Sequence, residues 1–241
     1  MKVQLYVTCI VDQCWPEVGL ATARLLEHIG CEVVVDDRDT CCGQPFCNSG
    51  YPDRARPLAQ AAIESFERSG AEFWVAPSGS CTAQVKHYPG LFADDPSWQK
   101  RAERLAAQSF ELSQFLQQRG LQRAPGRFTG RVAWHDACHG LRDLGIAAGP
   151  RALLTTVEGL ELVEFDAATA CCGFGGTFAV KLPEISVAIA DHKLDRLQQR
   201  DAEVLASGDA SCLLHLRGRL ERRGLPIRVM HLAELLAAGM N

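Results

Sequence analysis

Two stretches organise this sequence: Cys41-Cys42-Gly43-Gln44-Pro45 and Cys171-Cys172-Gly173-Phe174-Gly175-Gly176. Each stretch places adjacent cysteines before a glycine, and each has one further cysteine far upstream and one far downstream. Equivalent cysteines are separated by 129, 130, 130 and 131 residues, which indicates an internal duplication. The first set of four is Cys9, Cys41, Cys42 and Cys81, and the second set is Cys138, Cys171, Cys172 and Cys212.

Composition limits the class of protein. The 241 residues are 47% hydrophobic and 22% charged, which is enough to bury one or two cores without disulfides. The net charge of −4 and the lack of a dense basic run argue against a nucleic-acid surface. No apolar run approaches the ~20 residues that span a bilayer, and the first residues do not resemble a signal peptide. We therefore expect a cytoplasmic protein without a transmembrane segment.

The eleven cysteines point to metal or redox chemistry. Thiols stay reduced in a cytosol, so a regular cysteine pattern there is more often a metal or redox site than a set of disulfides. A disulfide scaffold is the weaker alternative.

Strands and helices are predicted to alternate along both halves. Alternating or β-branched apolar runs predict strands, and amphipathic runs that begin at prolines predict helices. Helical connections between strands predict parallel βαβ units with right-handed crossovers. The predicted strands are 2–8, 32–35, 72–76, 131–135, 160–165, 202–206 and 227–230. The predicted helices are 16–30, 52–69, a pair within 98–119, one from 150, 183–199 and 232–238.

The predicted fold class is α/β, with two tandem pseudo-symmetric domains. Each domain would be a small parallel sheet flanked by helices, in a Rossmann-like arrangement. The segment around Ala124-Pro125-Gly126 has the composition of a linker. The predicted organisation is a first domain over 1–122, a linker over 123–130 and a second domain over 131–241.

The repeated cysteines all follow predicted strand ends. In a parallel sheet the loops after the strands lie along one edge, which is where such folds bind ligands. Three loops that are distant in sequence would therefore bring four thiols together in each half.

Several occupants suit four converging thiols. A zinc ion takes four sulfurs tetrahedrally, but commonly through C-x2-C turns rather than adjacent cysteines. An iron–sulfur cluster offers separate metal corners to neighbouring thiolates, and Gly43 and Gly173 would let the backbone pass close to it. The amides of Gly175 and Gly176 would donate to its sulfides, and helix N-termini at the last cysteine of each set would favour an anionic group. Redox-active thiols without metal are the third alternative.

Five short motifs carry a family resemblance that covers nearly the whole chain: 41–45, 48–51, 135–139, 171–178 and 211–215. They resemble the cysteine-rich CCG-domain proteins. That family includes the B subunit of heterodisulfide reductase, the iron–sulfur subunit of glycolate oxidase and the lactate utilisation protein A group, to which these motifs are most similar.

The resemblance implies an iron–sulfur electron-transfer subunit of a system that oxidises L-lactate, or another 2-hydroxy acid such as glycolate. It implies up to one [4Fe-4S] cluster in each domain, held by the repeated cysteines, and a partner with ferredoxin-type clusters. The sequence has no C-x2-C-x2-C run and no G-x-G-x-x-G loop, so we do not expect a complete dehydrogenase. A zinc-binding docking subunit and a thiol–disulfide redox protein are the alternatives.

One departure from the family pattern concerns the end of each half. In the heterodisulfide reductase subunit each half ends in C-x-x-C, which supplies five thiols for a non-cubane cluster. Here Gln84 and His215 occupy the last positions, which argues against heterodisulfide cleavage. His215 is a candidate imidazole ligand, and the alternative is a histidine that donates a hydrogen bond to a sulfur or a carbonyl.

Three cysteines are not duplicated. Cys14 and Cys47 lie within five residues of a proposed ligand in the first half. One of them is a candidate fifth ligand that would make the first site unlike the second, and incidental thiols are the alternative. Cys31 lies at a helix-to-strand junction, where a free cysteine is usually a small buried apolar residue.

Charged and polar residues near the second set are candidates for substrate chemistry. His135 and His139 flank Cys138, with Asp136 between them, and such a pair could relay protons from a hydroxy acid. The commoner role is a hydrogen bond that orients the loop. Lys181 could attract a carboxylate substrate, and a solvated surface lysine is the alternative.

Overall fold

The computed structural model describes residues 1–240, in which strands and helices alternate. None of the helices in these residues has the length and apolar composition needed to cross a bilayer. The first half contains β1 (Lys2–Leu5), α1 (Cys9–Cys14), α2 (Pro16–His28), β2 (Glu32–Val34), α3 (Gln44–Asn48), α4 (Pro52–Ser69), β3 (Phe73–Ala76), α5 (Gly79–Leu91), α6 (Pro96–Gln108), β4 (Ser109–Glu111) and α7 (Leu112–Gln118). The second half contains β5 (Arg127–Trp134), α8 (Cys138–Asp143), α9 (Ala148–Leu154), β6 (Glu158–Val163), α10 (Thr177–Lys181), α11 (Pro183–Gln198), β7 (Val204–Ser207), α12 (Ala210–Arg222), β8 (Arg228–His231) and α13 (Leu232–Leu236).

Each half folds around one four-stranded sheet. The strand order is β2-β1-β3-β4 in the first sheet and β6-β5-β7-β8 in the second, and every pair is parallel. The chain starts each sheet at an inner strand, adds one neighbour and then crosses to the other side. The loops after the two inner strands therefore flank a topological switch point, where open α/β sheets bind ligands. The predicted α/β class and two-domain arrangement are confirmed.

The helical pair predicted within 98–119 is interrupted by a strand. The three residues of β4 pair with β3 between the end of α6 and the start of α7. The sequence pattern does not reveal this strand because Ser109 and Glu111, two of its three residues, are polar yet buried. Glu111 is tolerated there because its side chain caps α7 and accepts a hydrogen bond from the Ser113 amide at 2.8 Å.

The segment predicted as a linker, 123–130, is partly a strand, because β5 begins at Arg127. The amides of Gly126 and Arg127 donate to the carbonyls of Leu236 and Ala238, at 2.9 and 2.8 Å. A Cβ atom on Gly126 would lie 2.5 Å from the Leu236 carbonyl oxygen. The glycine that suggested a flexible connection therefore allows a close backbone approach instead. The domain bounds 1–122 and 131–241 stay predictions.

The two halves share a hydrophobic core. Helix α2 of the first half packs against α13 of the second, and α7 packs against α9. Val75 in β3 and Val132 in β5 belong to the same buried apolar cluster, whereas the cluster around Trp74 lies within the first half. Because burial of apolar surface across this seam stabilises both halves, their stabilities are coupled.

The buried carboxyl group of Glu111 should make the stability of the fold depend on pH. Burial raises the pKa of Glu111 to about 7, against the opposing effect of hydrogen bonds from Ser113. A folded-state pKa above the unfolded value means that stability is lost as pH rises from about 4.5 through 7. This group should lower the free energy of unfolding by about 3 kcal/mol between pH 4.5 and pH 8.

Urea unfolding of the Glu111→Gln variant at several pH values measures this effect. Glutamine keeps an acceptor for the Ser113 amide but has no proton to lose, so the pH slope between pH 5 and pH 8 should flatten relative to wild type. Glu32→Gln, at an exposed position of β2, is the matched control and should keep the wild-type slope. Parallel profiles for wild type and Glu111→Gln would show that this carboxyl group is ionised in the fold.

Candidate metal centre

The four cysteines of the first set meet at the carboxyl edge of the first sheet. Cys9 opens α1 shortly after β1, and Cys81 lies in the first turn of α5 after β3. Cys41 and Cys42 occupy the loop between β2 and α3. The Sγ atoms of Cys42 and Cys81 are 3.3 Å apart, and the Cys41 thiol contacts the thiols of Cys42 and Cys9. The structure therefore brings these four side chains together.

The second set repeats this geometry at the edge of the second sheet. Cys138 opens α8 after β5, and Cys212 lies in the first turn of α12 after β7. Cys171 and Cys172 occupy the loop between β6 and α10. The Sγ atoms of Cys172 and Cys212 are 3.0 Å apart, and the Cys171 thiol contacts those of Cys138 and Cys172. The inner cysteine of each pair, Cys42 or Cys172, is buried.

A glycine shapes the turn after each cysteine pair. Gly43 and Gly173 have φ values of +85° and +92°, in the left-handed region that side chains disfavour. Their amides point back at the first cysteine of the pair, with N···S distances of 3.5 Å to Cys41 and 3.3 Å to Cys171. Each turn therefore aims a backbone donor at a sulfur, which stabilises a thiolate there.

The two sets face each other and line one cavity of about 170 Å³ between the halves. Ser78 Oγ donates to Asp209 Oδ2 at 3.2 Å across the seam, and the Ser80 amide donates to the same oxygen at 3.0 Å. A hydrogen bond of 2.8 Å between Ser49 and Thr177 joins the segments that follow the two cysteine pairs. The sequence did not determine whether the sites face each other, and the structure shows that they do.

The thiols of each set share protons unequally. Hydrogen bonds from Cys42 and Cys9 lower the pKa of Cys41 to about 3, and the same contacts raise the pKa of those two neighbours. The pKa of Cys171 is likewise lowered by its two neighbours. Four sulfurs in contact cannot all be anionic unless a cation lies among them. A metal ion or cluster provides that charge and takes four thiolates at once, so the donor set fits such a group.

A buried lysine lies beside the second set. Lys193 in α11 is fully buried, and its Nζ donates to the carbonyls of Ala167 and Ala168 rather than to a carboxylate. Burial lowers the pKa of Lys193 to about 8, and negative charge on Cys172 and Cys212 opposes that shift. A buried ammonium group is costly unless an anion lies near it. Lys193 therefore favours negative charge on the second set.

His135 is a possible metal donor, whereas the sequence predicted either a proton relay or a hydrogen bond that orients the loop. A ring nitrogen of His135 lies within 4.8 Å of the Sγ atoms of Cys172 and Cys212. Burial, with Lys193 nearby, lowers the pKa of His135 to about 3, so the imidazole is neutral. The internal duplication could have drawn attention to His135, because the equivalent residue, 129 positions upstream, is Tyr6. A change from phenol to imidazole at equivalent positions marks a chemical difference between the halves.

The first set is surrounded by aromatic rather than basic residues. Tyr6 donates to the Thr40 carbonyl at 2.6 Å, and Tyr88 donates to the Cys42 carbonyl at 2.8 Å. The position equivalent to Lys193, 131 residues upstream, is the buried Ala62. The two sites therefore have the same sulfurs in different electrostatic surroundings.

The unduplicated cysteines lie outside the cavity. Cys14 is exposed at the end of α1, so the structure does not bring it to the first set. Cys47 in α3 accepts a hydrogen bond from Gln84 at 3.2 Å, which gives its thiol a partner other than the repeated cysteines. Cys31 is buried, as predicted for a small apolar side chain.

The remaining predicted polar residues lie in three different surroundings. His139 lines the cavity together with Gly175 and Gly176, and its Nδ1 is 2.6 Å from the Asp143 carboxylate. His215 in α12 lies 3.3 Å from the hydroxyl of a buried serine and is not among the residues that line the cavity. Lys181 is exposed at the end of α10.

Fold and site together define a duplicated, cysteine-rich α/β protein with a candidate metal site in each half. The chain belongs to the CCG family, described as a cysteine-rich domain, whose sequence profile matches residues 3–86 and 132–217. It is 48% identical over 241 residues to Lactate utilization protein A of an Exiguobacterium species, covering 100% of this chain and 98% of the relative. It is 45% identical over 239 residues to Lactate utilization protein A of Geobacillus kaustophilus, covering 99% of each.

The fold also occurs in a solved structure. A hypothetical protein from Helicobacter pylori superimposes with a TM-score of 0.66 at 9% sequence identity. The match covers 100% of this chain and 49% of that protein, so this chain corresponds to about half of it. At this identity the likeness concerns the fold alone.

Proposed function

We propose that this chain is a cytoplasmic iron–sulfur electron-transfer subunit of a system that oxidises L-lactate to pyruvate. The observation that carries this proposal is the pair of four-thiol sets that face each other across one cavity. The relatives named Lactate utilization protein A support lactate as the substrate class. Glycolate and other 2-hydroxy acids share the same reacting group, so they belong in the test.

The residues that would hold the clusters are the eight repeated cysteines. Adjacent thiolates suit a cluster because each can take a different iron. Cys42 and Cys172 are only 3% and 2% exposed, so they keep water from the inner side of each site. The amides of Gly43 and Gly173 donate to sulfur, an interaction that raises the reduction potential of a cluster. When bound, one cluster in each set supplies one-electron chemistry, which matches the two electrons released by oxidation of a 2-hydroxy acid.

Other subunits would complete the system. The chain has no G-x-G-x-x-G loop for a dinucleotide, so we assign the carbon chemistry and the final acceptor to partners. We propose that one partner carries ferredoxin-type clusters, because a one-electron carrier needs a one-electron neighbour. Eleven free cysteines within residues 1–240 support the reducing cytoplasm as the location.

Zinc is the second candidate occupant. His135, Cys172 and Cys212 offer three donors within 4.8 Å of one another, and a fourth thiol beside them would complete a tetrahedron. A thiol–disulfide protein is the third candidate, and the lowered pKa of Cys41 is the feature that such a protein would use. Both candidates predict a colourless protein.

Metal and sulfide analysis of anaerobically purified protein separates these candidates. We expect a brown protein with equal iron and acid-labile sulfide, at roughly four irons for each filled set. We also expect L-lactate to bleach the visible absorption only when partner subunits are present. Zinc without sulfide would favour the docking subunit, and absence of metal with one rapidly alkylated cysteine would favour the thiol–disulfide protein. Bleaching by glycolate but not by lactate would change the substrate and keep the cluster.

A further inference from the structure

The strongest unexplained feature of the molecule is the histidine that follows β5. His135 is completely buried and comes directly after the last residue of this inner strand of the second sheet. Its Nε2 has no hydrogen-bond partner within residues 1–240. A buried polar atom without a partner destabilises a fold, and a bound metal group is one partner that would satisfy it. The equivalent residue, Tyr6, has its hydroxyl satisfied by the Thr40 carbonyl.

The hydrogen bond on the other ring nitrogen sets the tautomer. His135 Nδ1 lies 3.3 Å from the Ala168 carbonyl oxygen, which can only accept. Nδ1 must therefore carry the proton in this contact, and in the neutral imidazole Nε2 then presents a free lone pair. Metal-bound histidines commonly donate their other ring N–H to a backbone carbonyl in this way.

The neighbours of His135 offer sulfur rather than a hydrogen-bond donor to Nε2. The nearby Lys193 ammonium donates to the carbonyls of Ala167 and Ala168 and makes no hydrogen bond to Nε2. The side chain of Asp136 accepts from Trp134 and from Arg151, at 2.8 Å in each case. A ring nitrogen of His135 and the Sγ atoms of Cys172 and Cys212 all lie within 4.8 Å of one another, a separation compatible with donors to one metal group.

We propose that His135 supplies an imidazole nitrogen to the metal group of the second set. The second site would then have four sulfurs and one nitrogen, whereas the first has four sulfurs alone. This inference rests on the proposed function only in requiring that a metal group occupy the site. Because a neutral imidazole adds no negative charge, the two sites would differ in their donor sets and have the same number of thiolates.

Histidine-selective isotope labelling tests the proposal in the complete chain. The protein is produced with ¹⁵N-histidine, loaded anaerobically with iron and sulfide, reduced, and examined by pulsed electron paramagnetic resonance. We expect a strongly coupled ¹⁵N nucleus in wild type, its loss in His135→Gln, and its retention in His139→Gln and His215→Gln. If the site binds zinc instead, X-ray absorption at the zinc edge detects the same nitrogen in the same variants.

The outcomes distinguish this inference from the proposed function. A filled cluster in wild type without histidine coupling would overturn the role of His135 and leave the electron-transfer function standing. Coupling that survives in His135→Gln but disappears in His215→Gln would move the donor to His215 and also overturn the proposal. Protein that binds neither iron nor zinc would overturn the proposed function. A wild-type spectrum without histidine coupling overturns the proposal by itself, and so does loss of the coupling in His139→Gln or His215→Gln, so a His135→Gln variant that fails to fold does not block the test.

Discussion

Replacement of Cys172 by alanine should empty the second site and leave the first filled, so that bound iron and sulfide fall to roughly half of the wild-type values. Cys172 is buried, contacts Cys171 and lies 3.0 Å from Cys212, so its loss breaks the chain of donors at its centre. The remaining thiols would be left without the geometry that holds a cluster. Iron and acid-labile sulfide, measured on anaerobically purified variant protein, give the result directly.

Two further variants make this prediction specific. Cys42→Ala should produce the mirror-image loss from the first site, and Cys14→Ser, which removes an exposed thiol, should keep full metal content. Because the halves share a hydrophobic core, circular dichroism must first show that each variant is folded. Complete loss of iron from folded Cys172→Ala and from folded Cys42→Ala would mean that one group bridges the cavity, and the idea of two separate sites would be wrong.

The sequence predicts the membership of each cysteine set because two independent regularities agree. The repeat offset pairs Cys9 with Cys138 and Cys81 with Cys212. The topology of a parallel sheet then places all strand-end loops on one edge. Neither argument needs a tertiary contact, since one depends on chain length between cysteines and the other on backbone connectivity. The same connectivity predicts the sheet class, and that prediction is confirmed.

The features that the sequence does not reveal depend on contacts between distant residues. The facing of the two sites is fixed by contacts such as that between Ser78 and Asp209, which lie 131 residues apart. Lys193 belongs to a helix predicted correctly, but helical periodicity does not show that this lysine is buried whereas its neighbour His192 is exposed. β4 escapes detection for the same reason, because its polar residues are buried by tertiary packing.

Gly173→Ala should be among the most damaging substitutions in the chain, with a loss of about 3 kcal/mol or more in the free energy of unfolding. Two costs add at this position. A side chain at φ +92° strains the backbone, and its Cβ would overlap the carbonyl oxygen of Ser186 in α11. Ser186 cannot easily retreat, because it is buried and its hydroxyl donates to the Gly173 carbonyl at 2.8 Å. Urea unfolding with iron analysis measures both the stability and the site.

Two other glycines separate the cost of backbone strain from the cost of overlap. Gly145 has φ +67° and open space around its Cβ position, so Gly145→Ala should cost only about 1 kcal/mol and leave metal content unchanged. Gly43→Ala should fall between the two, since its Cβ would lie 3.0 Å from the Ala55 Cβ. Equal losses in all three variants would mean that backbone strain alone requires glycine after the cysteine pairs. A graded loss of stability would instead show that α4 and α11 pack tightly against these turns and hold the sulfurs in place.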